Sequence, residues 1–308
     1  MTKGSELNVN GVLVRVTNLD KVFYPETGFT KGDVIDYYIR ISRWLLPHLK
    51  DRPITLKRYP EGVEGFFFYE KQCPPGRPRA VKIASVPRSG GGEVNYCVLN
   101  ELTGLVWAAN LADLELHTFL HRAPGINRPT AVAFDLDPGP PADIIKCCDV
   151  GLKLKAILDS FKLKSFPKTS GSKGLQVYVP LNGPVTYEKT KAFARTLADI
   201  LEKQSPELVV SKMQKSLRRG KVFVDWSQND DHKTTVTVYS LRAKARPTVS
   251  TPVTWDEVET AFKKKQPAAL TFEAGEVLKR VQKKGDLFAP VLTLKQKLPA
   301  LDKVETYA

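Results

Sequence analysis

The sequence predicts an α+β fold: a sheet whose central strands end in carboxylates, flanked by amphipathic helices. Three observations carry that expectation. Val132-Ala133-Phe134-Asp135-Leu136-Asp137 alternates with the period of a strand, so Asp135 and Asp137 leave one face together. Thr30, Thr186 and Thr254 are capping residues placed before stretches of helical character. Short apolar runs such as Val222-Phe223-Val224 and Val177-Tyr178-Val179 supply further strands.

The chain has 308 residues and 42% hydrophobic residues, enough to bury a core, and its length suits one body of two merged lobes. It carries 47 basic and 33 acidic residues, a net +14, which favours a polyanionic partner, most simply nucleic acid. No run approaches the roughly 18 apolar residues that a membrane span requires. Met1-Thr2-Lys3-Gly4-Ser5 has no signal-peptide core, so a cytoplasmic, nucleoid-associated protein with no membrane partner is expected. Cys73, Cys97, Cys147 and Cys148 form no C-x-x-C pair and have no histidine at zinc spacing, so they read as free thiols.

In chain order, Asn18 to Pro25 reads as a turn and docking segment, and Thr30 caps a helix with Val34, Tyr37, Tyr38, Ile41 and Leu45 on one face. Lys31 in the first turn opposes the helix dipole. A phosphate bound at that terminus, with Lys21 converging on it, would account for the lysine; two exposed lysines without a role are the alternative. Ile54 to Tyr59 is a strand ending in the basic pair Lys57-Arg58. Phe66-Phe67-Phe68-Tyr69 either exposes rings that stack on a ligand or forms a strand buried on both faces. Arg77 to Gly92 is basic, Pro-rich and ends in Ser89-Gly90-Gly91-Gly92, the composition of a loop. A helix is expected over Leu102 to Leu114, leading to Glu115-Leu116-His117.

The Asp135/Asp137 strand follows. Two carboxylates on one face repel unless a cation lies between them, and paired divalent ions are the usual answer where phosphates react. A solvated turn or a single structural ion site is the other reading of D-x-D. A helix from about Ile144 to Phe161 precedes the strand-loop-strand Thr169 to Val179, whose Ser170-Gly171-Ser172-Lys173-Gly174 has the composition of a phosphate cradle, though not of a Walker motif. Thr186 caps a helix to about Lys203 that faces Phe193, Leu197, Ile200 and Leu201 inward. Lys215 to Lys221 is a basic turn entering a strand that presents a third carboxylate, Asp225. Its expected partner is Thr234 to Leu241, and the whole suits an RRM-like sheet. Thr254-Trp255-Asp256-Glu257 has capping-box form, and a second helix is expected from about Glu273 to Lys284.

Taken together, Phe134-Asp135-Leu136-Asp137-Pro138-Gly139, Thr169 to Gly174 and Val222 to Asn229 resemble the three motifs of the archaeo-eukaryotic primase superfamily. More closely, they are similar to the polymerase domain of bacterial ligase D, the non-homologous end-joining family, from Asn18 to Arg242 and into the tail. The resemblance implies a primase-polymerase fold with an RRM-like catalytic sheet and a merged N-terminal α/β lobe. The chain would be one domain, 1–308, with an N-terminal lobe of about 1–125, a palm-like lobe of about 126–245 and a helical tail of about 246–308. It implies a nucleotidyltransferase that adds NTPs or dNTPs to a DNA 3′ end at gaps and breaks, with two Mg2+ or Mn2+ ions on Asp135, Asp137 and Asp225. By the same matching Lys57, Ser170, Lys173 and Arg242 hold the triphosphate with His117 and Arg218 beside it, Lys21 and Lys31 bind a downstream 5′-phosphate, and Phe68 and Tyr69 stack on template. The implied partners are DNA with gaps or 3′ overhangs, nucleoside triphosphates, Ku and a DNA ligase, with two molecules paired through DNA near the Arg77 to Gly92 loop.

Family members usually have histidine where this chain has Gln176, which hydrogen-bonds but does not titrate near neutral pH, so no acid-base role carries over. No ligase or nuclease motif follows Ala308, which suits either a stand-alone polymerase or part of a longer chain. A primase starting RNA primers shares every motif and is the alternative activity. A non-catalytic nucleic-acid-binding module has no use for three converging carboxylates, which would repel DNA. A metal-dependent nuclease has no use for the Ser/Gly/Lys cradle with Arg242.

Overall fold

The computed structural model describes residues 4–88 and 90–306; Met1 to Lys3 of the N-terminal reading, Ser89 of the expected loop, and Ala308 lie outside the described residues. The chain runs through β1 (Gly4–Val9), β2 (Val12–Thr17), β3 (Val22–Tyr24), β4 (Phe29–Thr30), α1 (Lys31–Leu49), β5 (Pro53–Arg58), β6 (Phe68–Glu70), β7 (Val81–Pro87), β8 (Glu93–Leu99), α2 (Leu102–Asn110) and β9 (Asp113–Thr118). It continues with β10 (Ala131–Pro138), α3 (Ile144–Ser160), β11 (Phe166–Thr169), β12 (Leu175–Pro180), α4 (Tyr187–Gln204), β13 (Val209–Val210), β14 (Val222–Asp225) and β15 (Thr235–Val236). Helices α5 (Trp255–Lys264), α6 (Ala274–Lys284), α7 (Pro290–Thr293) and α8 (Leu301–Glu305) close it. The mixture is the α+β class that the sequence predicts. Among the described residues, no helix is long and apolar enough to cross a membrane.

Two compact units form, one from 1–126, 234–250 and 272–285, the other from 127–233, 251–271 and 286–308. Residues 246–308 are therefore shared between both units and make no separate tail.

In the first unit a six-stranded sheet has the order β15-β9-β5-β8-β7, with β6 on β5. Helix α1 starts as expected: Thr30 Oγ1 accepts from Asp33 N at 3.1 Å and Asp33 Oδ2 accepts from Thr30 N at 2.7 Å. Its apolar face is fully buried, and two of its tyrosines find carbonyls inside, Tyr37 on Tyr239 O at 2.8 Å and Tyr38 on Leu114 O at 2.6 Å. Helix α2 stops at Asn110, earlier than its apolar run suggests, because Ala112 takes a left-handed turn (φ 64°) and Asp113-Leu114 belong to a strand. Thr234 to Leu241 does not pair with β14. Thr235-Val236 pairs with β9, and Leu241 with Val249, since alternation specifies a strand but not its neighbour. Cys73 and Cys97 are joined in a disulfide, correcting their reading as free thiols; Cys73 N donates to Asn95 O at 2.6 Å, bringing the two together across a 24-residue separation that carries no motif. Cys147 and Cys148 are free and buried.

The second unit holds a five-stranded sheet of order β11-β12-β10-β14-β13, antiparallel except for the β13/β14 pair. Helices α3 and α4 pack on β10. Gly151 of α3 lies against Leu175 and Leu136, so that face carries Phe134, Leu136, Leu175 and Val177. The strand period then sends Asp135, Asp137, Gln176 and Asp225 to the opposite face.

Candidate active site

Register brings the three carboxylates together at the middle of this sheet. Asp135 stands directly opposite Asp225, and Asp137, two residues on, opposite Phe223. The pairing is held by Asn229, whose amide both accepts from Ala133 N (2.9 Å) and donates to Ala133 O (2.7 Å), pinning the turn after β14 to β10. Burial and then the charges of Asp137 and Asp225 push the Asp135 carboxyl up to about 7, against the hydrogen bond from Gln176 and the charge of Lys168. Asp135 Oδ1 is buried without a hydrogen-bond partner among the described residues. Asp225 is engaged: Oδ1 accepts from Ser227 N (2.9 Å) and Oγ (2.5 Å), and Oδ2 from Gln228 Nε2 (2.9 Å). Lys233 in turn donates to Ser227 Oγ.

An orphaned, buried carboxylate oxygen beside two further carboxylates is a hard, oxygen-only donor set, and it fits a hard divalent cation. Among the described residues, possible ligand atoms within 4.8 Å of one another occur at Asp230, Asp231 and His232. That surface group already has a cation, Lys191 at 2.6 Å from Asp230. The Asp135, Asp137 and Asp225 oxygens are not in that tightly gathered group, and both of Asp225's accept hydrogen bonds from Ser227 and Gln228.

The serine-rich loop lies against the same strand. Gly174 is required there, since a Cβ would stand 2.2 Å from Leu136 O. Ser170 Oγ accepts from Ser172 N (3.2 Å) and Gly174 N (3.0 Å), an internal turn that fixes the loop and leaves Lys173 exposed. Arg218 ends a single 3₁₀ turn (Lys215–Arg218), its guanidinium 3.7 Å from the centre of the Phe223 ring and donating to Met213 O at 2.7 Å. Gly139 closes on it so tightly that a Cβ would meet Arg218 O at 1.8 Å.

Lys57, His117 and Arg242 belong to the first unit, and there they gather around a residue to which sequence reasoning assigned no role, Glu115. This buried carboxylate on β9 lies 3.3 Å from Lys57 Nζ, 3.0 Å from His117 Nε2 and 3.4 Å from Arg242 Nε, and accepts from Ala243 N at 3.0 Å. Burial alone would raise its carboxyl; the His117 hydrogen bond and the Arg242 and Lys57 charges override that and hold it below the usual carboxylate range. Burial lowers His117 despite Glu115, so a neutral ring donates from Nε2. Lys57 Nζ also sits 4.8 to 5.4 Å from the ring centres of Phe67, Tyr59 and Tyr69. The aromatic run is therefore not a buried strand: Phe66, Phe67 and Tyr69 are exposed, and Phe68 lies against Phe66 and the Arg58 guanidinium.

Lys31 is buried at 5% exposure, and burial, then Lys21 and Arg58, lower its ammonium to about 8. Its Nζ makes a weak contact with Thr17 Oγ1 at 3.4 Å, while Lys21 pairs with Glu61 at 2.6 Å. The first amides of α1 are already used: Lys31 N donates to Lys21 O and Gly32 N to Leu19 O, both at 2.8 Å, and Asp33 N to Thr30. An anion here would thus meet ammonium groups instead of the helix terminus that the dipole reading invoked.

Residues 30–288 match the family described as LigD, primase-polymerase domain. The chain is 42% identical over 296 residues to the multifunctional non-homologous end joining protein LigD of Mycolicibacterium smegmatis, covering 96% of this chain and 38% of that protein. It is 33% identical over 273 residues to the bifunctional LigD of Bacillus subtilis, covering 88% and 43%. The polymerase domain of Mycobacterium tuberculosis ligase D, solved in complex with DNA, has a similar structure: TM-score 0.84 and 41% identity over 91% of this chain and 98% of that one. The chain thus spans well under half the length of the curated relatives it matches.

Proposed function

The chain belongs to the LigD primase-polymerase domain family and is a DNA-directed nucleotidyltransferase, and from that premise we propose that it fills gaps at broken DNA ends by adding NTPs or dNTPs to a 3′ terminus. The observation that carries the chemistry is the buried, unpartnered Oδ1 of Asp135 across from Asp225. Two Mg2+ or Mn2+ ions on Asp135, Asp137 and Asp225 would supply Lewis-acid activation of the 3′-hydroxyl and neutralise charge on the triphosphate. Gln176 and the Ser227/Gln228 pair orient Asp135 and Asp225. Ser170 and Lys173 bind triphosphate oxygens, Arg218 is fixed by Phe223 to do the same, and Lys57, His117 and Arg242 meet phosphate with their positions set by Glu115.

Gap filling is favoured over primer synthesis by the buried Lys31 ammonium, which lies near Lys21 and Arg58, themselves paired with Glu61 and Glu70, and suits a downstream 5′-phosphate. Exposed Tyr69, with Phe68 beside it, is suited to stacking on template. Ku, a ligase and a second copy of this chain across the break are the proposed partners, met near the Arg77 to Gly92 segment, which is not the expected loop throughout, since Val81–Pro87 is strand β7 paired with β8. Primer extension on gapped DNA with and without a 5′-phosphate, supplying NTPs or dNTPs, tests the reading. Asp137→Ala is expected to abolish extension while DNA binding persists. Undiminished extension in that variant, or primer-independent synthesis on a circular single strand as the dominant wild-type activity, would overturn it.

A further inference from the structure

The carboxylate face carries one more charged residue. Lys168 on β11 is opposite Gln176 on β12, Gln176 opposite Asp135 on β10, and Asp135 opposite Asp225 on β14. All three pairings are antiparallel, so Lys168, Gln176, Asp135 and Asp225 form one row on one face, strand by strand. Lys168 has 0% exposure, among the largest fully buried side chains of the chain. Its outer side is walled by Thr251 to Val253: Thr169 N donates to Thr251 O at 2.8 Å, Val253 N to Pro167 O at 3.1 Å, and Lys168 bridges Pro252. Its ammonium lies 5.7 Å from the centre of the Tyr178 ring, on the same face two residues from Gln176.

Burying an ammonium costs several kcal/mol unless an opposite charge offsets it. Asp135 is two strand spacings away, about 10 Å between backbones, and the Lys168 charge acts on its carboxyl. Asp137 and Asp225 add two more negative charges. The row thus ends in a cation at one side and carboxylates at the other, with the Gln176 amide between them donating to Asp135.

We propose that Lys168 is the resident counter-charge of the carboxylate centre, a positioning residue that lets three carboxylates fold together before any metal arrives and thereby sets how tightly a divalent cation is held. The inference rests on the metal reading of Asp135, Asp137 and Asp225. A fixed positive charge near a cation site weakens the site, so its removal has a direction that structural damage does not imitate. Lys168→Met keeps the length and apolar stem of the side chain and deletes its charge.

Mn2+ titration of the full chain, with free Mn2+ read by electron paramagnetic resonance, is expected to show binding roughly tenfold tighter in Lys168→Met than in wild type, the order of effect of one unit charge on a divalent ion in a partly wet site. The Mn2+ concentration for half-maximal extension should fall in parallel. A folded variant that binds Mn2+ with unchanged or weaker affinity overturns the proposal. Thermal melting in the absence of Mn2+ establishes folding, and Lys168→Gln takes the same measurement if the methionine variant does not fold. Asp137→Asn separates the two claims: if it binds Mn2+ as wild type does, the metal reading fails whatever Lys168 does.

Discussion

Removing Glu115 tests most directly how the cationic cluster of the first unit is held. Lys57, His117 and Arg242 approach this one carboxylate at 3.0 to 3.4 Å, and Glu115 is 2% exposed, with Lys57 and Arg242 at 12% and 15%. At an effective dielectric of about 20, each full charge pair is worth about 5 kcal/mol of gross attraction, offset by the cost of desolvating the carboxylate. Truncation to alanine takes the carboxylate away from two largely buried cations and the Ala243 amide, so a loss of about 3–5 kcal/mol is expected. Glu115→Gln retains the hydrogen-bonding shape but not the charge, and should lose about 1–3 kcal/mol. Urea unfolding followed by circular dichroism would read the alanine change as a midpoint lowered by about 1–2 M. The sign with pH follows from the depressed carboxyl: its stabilisation is present above the unfolded value near pH 4 and is lost as pH falls through the lower folded value. His117, also depressed, adds to the loss, because below about pH 6.5 the unfolded chain takes up a proton that the folded one does not. If Glu115→Ala unfolds within about 1 kcal/mol of wild type, or its acid sensitivity matches wild type, the cluster is not held by this carboxylate.

Three further outcomes are expected. Lys31 is charged below about pH 8 and neutral above it, so the preference for 5′-phosphorylated over unphosphorylated gapped DNA should decline between pH 7 and 9 in binding assays and be small at every pH in Lys31→Ala; a preference independent of pH in wild type would count against the pocket. Tyr69→Ala should weaken binding of a single-stranded overhang by about 1–3 kcal/mol while Tyr69→Phe stays near wild type, measured by fluorescence anisotropy; equal losses would point to the hydroxyl instead of the ring. Gly174→Ala would press a Cβ to 2.2 Å of Leu136 O, so the Ser170 turn must shift, and the KM for nucleotide should rise at least tenfold with little change in DNA affinity; an unchanged KM would detach that loop from nucleotide binding.

Local patterns were legible in the sequence where each carried its own physical signature. The Val132 to Asp137 alternation, the caps at Thr30, Thr186 and Thr254, and the buried face of α1 all stand as expected. Pairings over long separations were not legible. Glu115 has no role in the sequence reading because Lys57 lies 58 residues before it and Ala243 128 after it, and no local spacing announces such a meeting. The partner of Thr234 to Leu241 and the Cys73/Cys97 bond were missed for the same reason. Lys168 escaped notice because a lysine on a short edge-like strand reads as solvated until Thr251 to Val253 is seen to cover it.

The threading of the polypeptide bears on how this protein can be taken apart. Backbone passes from one unit to the other at 126/127, 233/234, 250/251, 271/272 and 285/286. Neither half exists as an uninterrupted stretch, so a fragment ending near 245 would deprive the carboxylate sheet of the Thr251 to Val253 strip along its β11 margin and helix α1 of α6, which packs on it, at once. Dissection by deletion is therefore expected to yield insoluble pieces, and point substitution is the instrument that this architecture leaves open.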